Sequence, residues 1–400
     1  MKLNLKTFLI GITVIAVVSD SMLIPFYPQF FAAVFNVTDP QYVGNYIAAT
    51  CLVVMLAFPC WARVAKTIPP LHLLIYTQLA AGILSVMCFW TTSLWAFWTV
   101  SLAMLAFKGS YLLVYPFVMS LEDSSRHGGT IGLLSVIVHF GAILGALLGG
   151  IVLQLLEPRQ AFLIMAVGDF LQTLVCILLV RQERSENPQP AGAGDPQLSG
   201  GETVSHGNRR FIVKLSLVML VFYFCAYLIR PFFSVYWESI SAFKGEIAAG
   251  MVFAIPALMA LLALWSNHKR KTGEETFDGI LSALLIGSCG LLLQGTQQEL
   301  IVLAGRCLFG WALFQSTVRL DLLVFRLSTP ESYATDFSKI HFFQSLGVLL
   351  ASHAAGSLVS SYGLPLPFFT AAFGFVVTLV LYLFLFKPER ESARAALQVS

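Results

Sequence analysis

Gly141-Ala142-Ile143-Leu144-Gly145-Ala146-Leu147-Leu148-Gly149-Gly150 stands inside an apolar run that begins near Ile131 and ends near Leu156. A run of that length crosses a bilayer as a helix. Gly141, Gly145 and Gly149 recur at every fourth position, so they share one face and leave a groove in which another helix backbone can come close. On these residues alone the stretch is a packing seam, since small residues at this spacing are common in membrane helices.

The composition agrees with a lipid solvent. Of 400 residues 57% are hydrophobic and 11% charged, against about 25% charged in an average soluble domain. The net charge of +3 is too small for a nucleic-acid partner, and the basic residues sit in short loops. The seven cysteines fall within apolar runs without metal or disulfide-framework spacing and read as buried small hydrophobes. Lys2 and Lys6 precede an apolar stretch that continues past Asp20 to Phe35 without a cleavage site, so the first helix is expected to stay on the chain.

Apolar runs of about 20 residues predict helices over 7–33, 41–61, 71–90, 94–119, 129–155 and 160–181, then over 211–237, 246–265, 277–296, 299–325, 337–361 and 365–386. The fold class expected is an all-α membrane protein of twelve transmembrane helices. A polar stretch rich in Pro, Gly and Ser has too little apolar surface to fold. It divides an N-terminal six-helix bundle, 1–181, from a cytoplasmic linker, 182–210, and a C-terminal bundle with a short tail, 211–400. With the N-terminus inside, eighteen Lys and Arg fall on the cytoplasmic side and only Arg159 and Lys244 outside. That bias orients both termini toward the cytoplasm.

The halves echo each other. Leu23-Ile24-Pro25-Phe26-Tyr27 is matched by Leu228-Ile229-Arg230-Pro231-Phe232-Phe233. The run from Gly347 to Gly356 copies the small-residue pattern of 141–150, and Leu303 to Gly310 parallels Leu102 to Gly109. A duplicated six-helix unit around a midplane cavity is the plan of a parallel-repeat secondary transporter.

On these motifs the chain resembles the major facilitator superfamily, nearest to its proton-driven exporters. The fifth-helix stretch is similar to the antiporter signature Gly-x-x-x-Gly-Pro-x-x-Gly-Gly, with Ala146 in place of Pro; the loop Pro59 to Thr67 keeps basic residues but not the acidic residue and glycines, and Leu105 stands where the fourth helix usually has Arg. The resemblance implies two bundles rocking around a central site. It makes Gly141, Gly145, Gly149 and Gly150, with Gly347 and Gly356, a gating and packing motif set against a helix of the other half.

Charges within the hydrocarbon are expensive and are read as functional first. Asp20 lies about 13 residues, roughly 20 Å, into its helix, and is either a proton-titrating carboxylate or a structural hydrogen-bonding group near the Pro25 and Pro28 kinks. Lys108, followed by Tyr111 and Tyr115, needs a carboxylate, water or an anionic ligand at its depth. It is either paired statically with Asp20 or part of an anion site. Arg306 offers a guanidinium fork suited to carboxylates; Arg230 either joins it or snorkels to water. His139 and His353 read as neutral helix histidines or proton relays, with His139 the proton-coupling candidate beside Asp20. Arg319 and Asp321 read as an interface pair, and Asp169 has no assigned role.

No catalytic constellation, phosphate-cradling loop or metal cluster stands out, so an enzyme, a cofactor and ATP drive are not expected. The expected function is proton-coupled efflux, across the cell inner membrane, of a small organic and carboxylate-bearing molecule, siderophore-like or a drug, by a monomer whose partners are substrate, protons and the lipid bilayer. An uptake symporter and a transport-dead receptor or scaffold are the rivals.

Overall fold

The computed structural model describes residues 5–114, 127–186, 209–270, 276–327 and 333–387. Tyr115 and most of the predicted linker lie outside them. The described residues form α1 (Leu5–Ser21), α2 (Tyr27–Phe35), α3 (Pro40–Val64), α4 (Pro70–Trp90), α5 (Leu94–Lys108), α6 (His127–Leu155), α7 (Gln160–Glu186), α8 (Arg209–Leu228), α9 (Phe233–Ile240), α10 (Glu246–Arg270), α11 (Thr276–Gln294), α12 (Glu299–Leu327), α13 (Tyr333–Tyr362) and α14 (Leu366–Leu385). Among the described residues eleven helical spans are long and apolar enough to cross a membrane, and Gly279–Gln294 is a shorter apolar helix at the place of the ninth predicted span. Leu56, Val167, Met251, Phe373 and Phe384 are among many large apolar side chains left on the outside, as a surface in contact with lipid requires.

Two predicted helices are each broken in two. Proline lacks a backbone donor and collides with the preceding turn, so α1 ends before the 3-10 turn Ile24–Phe26, with Pro25 in it, and α2 resumes at Tyr27. Asn36, in the left-handed conformation at φ 55°, closes α2 by turning the chain so that the Val37 N–H donates to Phe31 O at 3.1 Å. Pro231 separates α8 from α9 in the same way. The echoed sequences around Pro25 and Pro231 thus correspond to echoed breaks.

The described residues fall into two compact units, one within Met1–Ser199 together with Phe243–Ala254, the other within Gly200–Ala242 together with Ile255–Ser400. In the first, α1 packs on α6 and α7, and α4 on α5 and α7; in the second, α8 packs on α13 and α14, and α11 on α12 and α14. Moving each partner six spans along the chain converts one set of pairings into the other, which is the signature of a duplicated unit.

The glycine face of α6 packs differently from expectation. A Cβ at Gly149 would collide with Met22 O, one at Gly145 would lie 2.7 Å from Val18 O, and one at Gly141 2.7 Å from Val17 Cγ1. This face therefore holds α1 of the same unit, because the carbonyls released where α1 breaks need a neighbour without a side chain. Gly150 meets the first turn of α10, with Glu246 O 2.5 Å from its would-be Cβ. In the second unit Gly347 on α13 admits α8, with Leu220 O at 2.5 Å; Gly356 is buried. Cys60 and Cys289 are exposed on the outer surface rather than buried, a lipid-facing position that a small hydrophobe tolerates equally well.

Candidate functional site

Lys108 is the last residue of α5, at the point where the backbone tightens into the 3-10 turn Gly109–Leu113. Its ammonium donates to Asp20 Oδ1 of α1 at 3.0 Å and to Asp169 Oδ1 of α7 at 2.7 Å. Ser85 of α4 donates to the other Asp169 oxygen at 3.1 Å. Gly168 lets the helices close to this distance, since a Cβ there would collide with Ser19 Oγ beside Asp20. Four spans thus meet at one cluster.

The cluster is asymmetric. Side-chain exposure is 4% for Lys108 and 0% for Asp169, but 24% for Asp20. Asp169 is sealed and held by two donors, whereas Asp20 has one donor and an opening. Two carboxylates face one ammonium, so the fully ionised cluster carries one uncompensated negative charge in a place where charge is costly. One proton neutralises it.

Tyr111 packs against the core of Leu9, Ile12, Leu71 and Leu74 and lies within electrostatic reach of Asp20, as does Tyr27. His139 on α6 is partly exposed and His353 on α13 is exposed; among the described residues the hydrogen bonds of the cluster join Asp20, Lys108, Asp169 and Ser85, and Ser85 also lies 3.1 Å from Met104 Sδ. Asp169 is the residue that sequence reasoning missed. The signal was present, a lone acid in the middle of an apolar helix, but the resemblance put that helix at the periphery.

In the second unit Arg306 is buried beneath α9, its guanidinium 3.7 Å from the Phe233 ring centroid, and it donates to Gln294 Oε1 at 3.5 Å. Gln294 Nε2 is itself anchored to Gly290 O at 3.1 Å, and Tyr236 donates its hydroxyl to Gln294 O. Arg230 stacks on Tyr227 at 4.9 Å and is near enough to Arg306 for their charges to oppose each other. Arg319 and Asp321 are turned to different neighbours: Arg319 donates to Gln315 O at 3.3 Å, and Asp321 accepts from Gln344 at 3.3 Å. Residues two apart on a helix do not share a face. Among the described residues no group of three His, Cys, Asp or Glu is placed to hold a metal ion.

The sequence profile of the Major Facilitator Superfamily matches residues 9–320. The chain is 26% identical to the Multidrug resistance protein MdtG of Dickeya zeae over 323 residues, 80% of this chain and 72% of that one. It is 24% identical to the protein of the same name from Salmonella arizonae over 374 residues, 90% of this chain and 89% of that one. Among solved structures, the human organic anion transporter MFSD10 (TETRAN) superposes with a TM-score of 0.71 at 16% identity, over 94% of this chain and 98% of that one. The POT family transporter PepTSo superposes with a TM-score of 0.75 at 12% identity, over 98% and 99%. At these identities the superpositions speak for the fold. A profile match over most of a sequence whose two halves repeat one packing decides the family: the chain belongs to the Major Facilitator Superfamily of multi-pass membrane transporters.

Proposed function

We propose that this protein is a proton-driven exporter of small organic molecules, acting as a monomer in a bacterial inner membrane with both termini in the cytoplasm. The observation that carries the reading is the Asp20–Lys108–Asp169 cluster, which has one carboxylate more than it has cations. A proton arriving on the partly exposed Asp20 neutralises the cluster and frees one of the two bonds of Lys108. A substrate carboxylate takes that bond from the cytoplasmic side. When the proton leaves toward the cytoplasm, Asp20 reclaims Lys108 and the substrate is displaced outward. Proton and substrate thus compete for one lysine in opposite states, the minimum that exchange requires.

The substrate proposed is carboxylate-bearing, a siderophore-like metabolite or a drug. Relatives at 24–26% identity that bear the name multidrug resistance protein support export over uptake. The deciding measurement is accumulation of labelled organic acids in inverted membrane vesicles with and without an imposed pH gradient. Accumulation that needs the gradient and collapses with a protonophore is expected; gradient-independent equilibration would remove proton coupling, and uptake only into right-side-out vesicles would reverse the direction.

A further inference from the structure

The second unit carries an arrangement that the proton-coupling cluster does not use. Tyr223, Tyr227 and Arg230 recur at i, i+4 and i+7 along and just beyond α8, on one side of the helix. The tyrosine rings stack at 5.8 Å with an interplanar angle of 16°, and the Arg230 guanidinium lies 4.9 Å from the Tyr227 ring. At the other end Tyr223 lies within electrostatic reach of Asp321 on α12. The order is cation, ring, ring, carboxylate. At 1.5 Å per residue the helical part of the ladder rises about 10 Å. Tyr223, Tyr227, Arg230 and Asp321 are each partly exposed.

Asp321 is the informative end. It falls within the apolar span Glu299–Leu323, yet forms no ion pair among the described residues. Gln344 donates to it at 3.3 Å, and Gln344 is in turn held by His341 at 2.8 Å, which fixes the carboxylate without neutralising it. The nearby Arg319 is engaged with Gln315, whose amide pairs with Asn267 at 2.9 Å. A carboxylate positioned but uncompensated within the bilayer marks a site for a positive group.

We propose that this ladder is a recognition site for an amphoteric aromatic molecule, with its ring on Tyr223 and Tyr227, its ammonium toward Asp321 and its carboxylate toward Arg230. Stacked rings accept a flat aromatic of many shapes, and the two ends fix its direction by charge. The site deepens the exporter reading by naming a substrate class; in it the carboxylate is held by Arg230, a bound state distinct from the one in which it takes the Lys108 bond, and it rests on that reading only for the direction of transport.

The test is equilibrium binding to purified full-length protein in detergent, without any gradient, so that its failure leaves proton coupling standing and a failure of gradient-driven accumulation leaves the ladder standing. A fluoroquinolone, which carries a carboxylate and a piperazinium on one aromatic system, is titrated by its own fluorescence. Its methyl ester, a cation only, and its N-acetyl derivative, an anion only, are titrated beside it. Asp321→Asn is expected to weaken the parent and the ester by about tenfold or more and to spare the N-acetyl compound; Arg230→Gln is expected to do the reverse. Tyr223→Leu weakens all three. Equal losses for ester and N-acetyl compound in either variant, or no loss in Asp321→Asn, overturn the site. Should Asp321→Asn fail to fold, Arg230→Gln alone decides, since the site requires it to spare the ester and weaken the N-acetyl compound.

Discussion

Lys108 reaches Asp169 at 2.7 Å, closer than it reaches Asp20. The shorter contact joins two sealed side chains, and the longer one joins Lys108 to a carboxylate with an opening. Breaking a buried pair by removing one partner leaves a charge stranded and costs about 3 to 5 kcal/mol. Lys108→Met should therefore lower the thermal stability of the purified protein strongly, because it strands both carboxylates. Adding Asp169→Asn to it removes one of those charges, so the double variant should be more stable than Lys108→Met alone. If instead the two losses simply add, the residues are not coupled.

Asp20 is the replaceable partner. Asp20→Asn keeps the shape and a hydrogen-bonding group but cannot release a proton, and with Asp169 it leaves a neutral cluster. Export driven by a pH gradient should cease, while substrate binding persists and no longer varies with pH. Concentration of substrate by this variant when only a proton gradient is supplied would remove Asp20 from the coupling step.

Gly149 and Gly11 form a matched pair for the glycine face. A Cβ at Gly149 runs into the Met22 carbonyl, whereas one at Gly11 meets nothing within 4 Å. Alanine is favoured over glycine in a helix interior by about 1 kcal/mol, so Gly11→Ala should be neutral or slightly stabilising. Gly149→Ala must push α1 away and should lower both the melting temperature and transport. Wild-type behaviour of Gly149→Ala would mean that the seam is loose.

The spans were legible because eleven are long apolar runs and the other is a shorter apolar helix, and the duplication because Pro25 and Pro231 punctuate matching helices. Asp20 and Lys108 were legible as charges at depth. The third partner was not, since linear order carries no information on which face of α7 turns inward, and Asp169 is distinguished only by its apolar setting. The packing of Gly141, Gly145 and Gly149 was misplaced for a related reason. Small-residue spacing announces that a backbone comes close without saying whose, and Pro25 marks where the first helix breaks without saying which helix its carbonyls will meet.

Gln154 shows how a polar residue near the end of α6 serves a helix almost a hundred residues away. The first amides of any α-helix lack intrahelical acceptors. At the start of α10 the Ile247 N–H is met by Gln154 Oε1 at 3.0 Å. Gly245, at φ 116°, turns the chain into that helix, and a Cβ there would sit 2.8 Å from the same oxygen. The glycine and the glutamine thus make one joint, beside the contact of Gly150 with Glu246. Losing a side-chain cap costs about 0.5 to 2 kcal/mol, and Gln154→Leu removes the acceptor while keeping much of the bulk. The Ile247 amide should then exchange with deuterium about tenfold faster, 1.4 kcal/mol being a factor of ten, while amides in the middle of α4 are unchanged. Gln154→Glu keeps an acceptor and should exchange slowly. Equal exchange rates for Gln154→Leu and wild type would show that the first turn of α10 is held by packing on α6 alone.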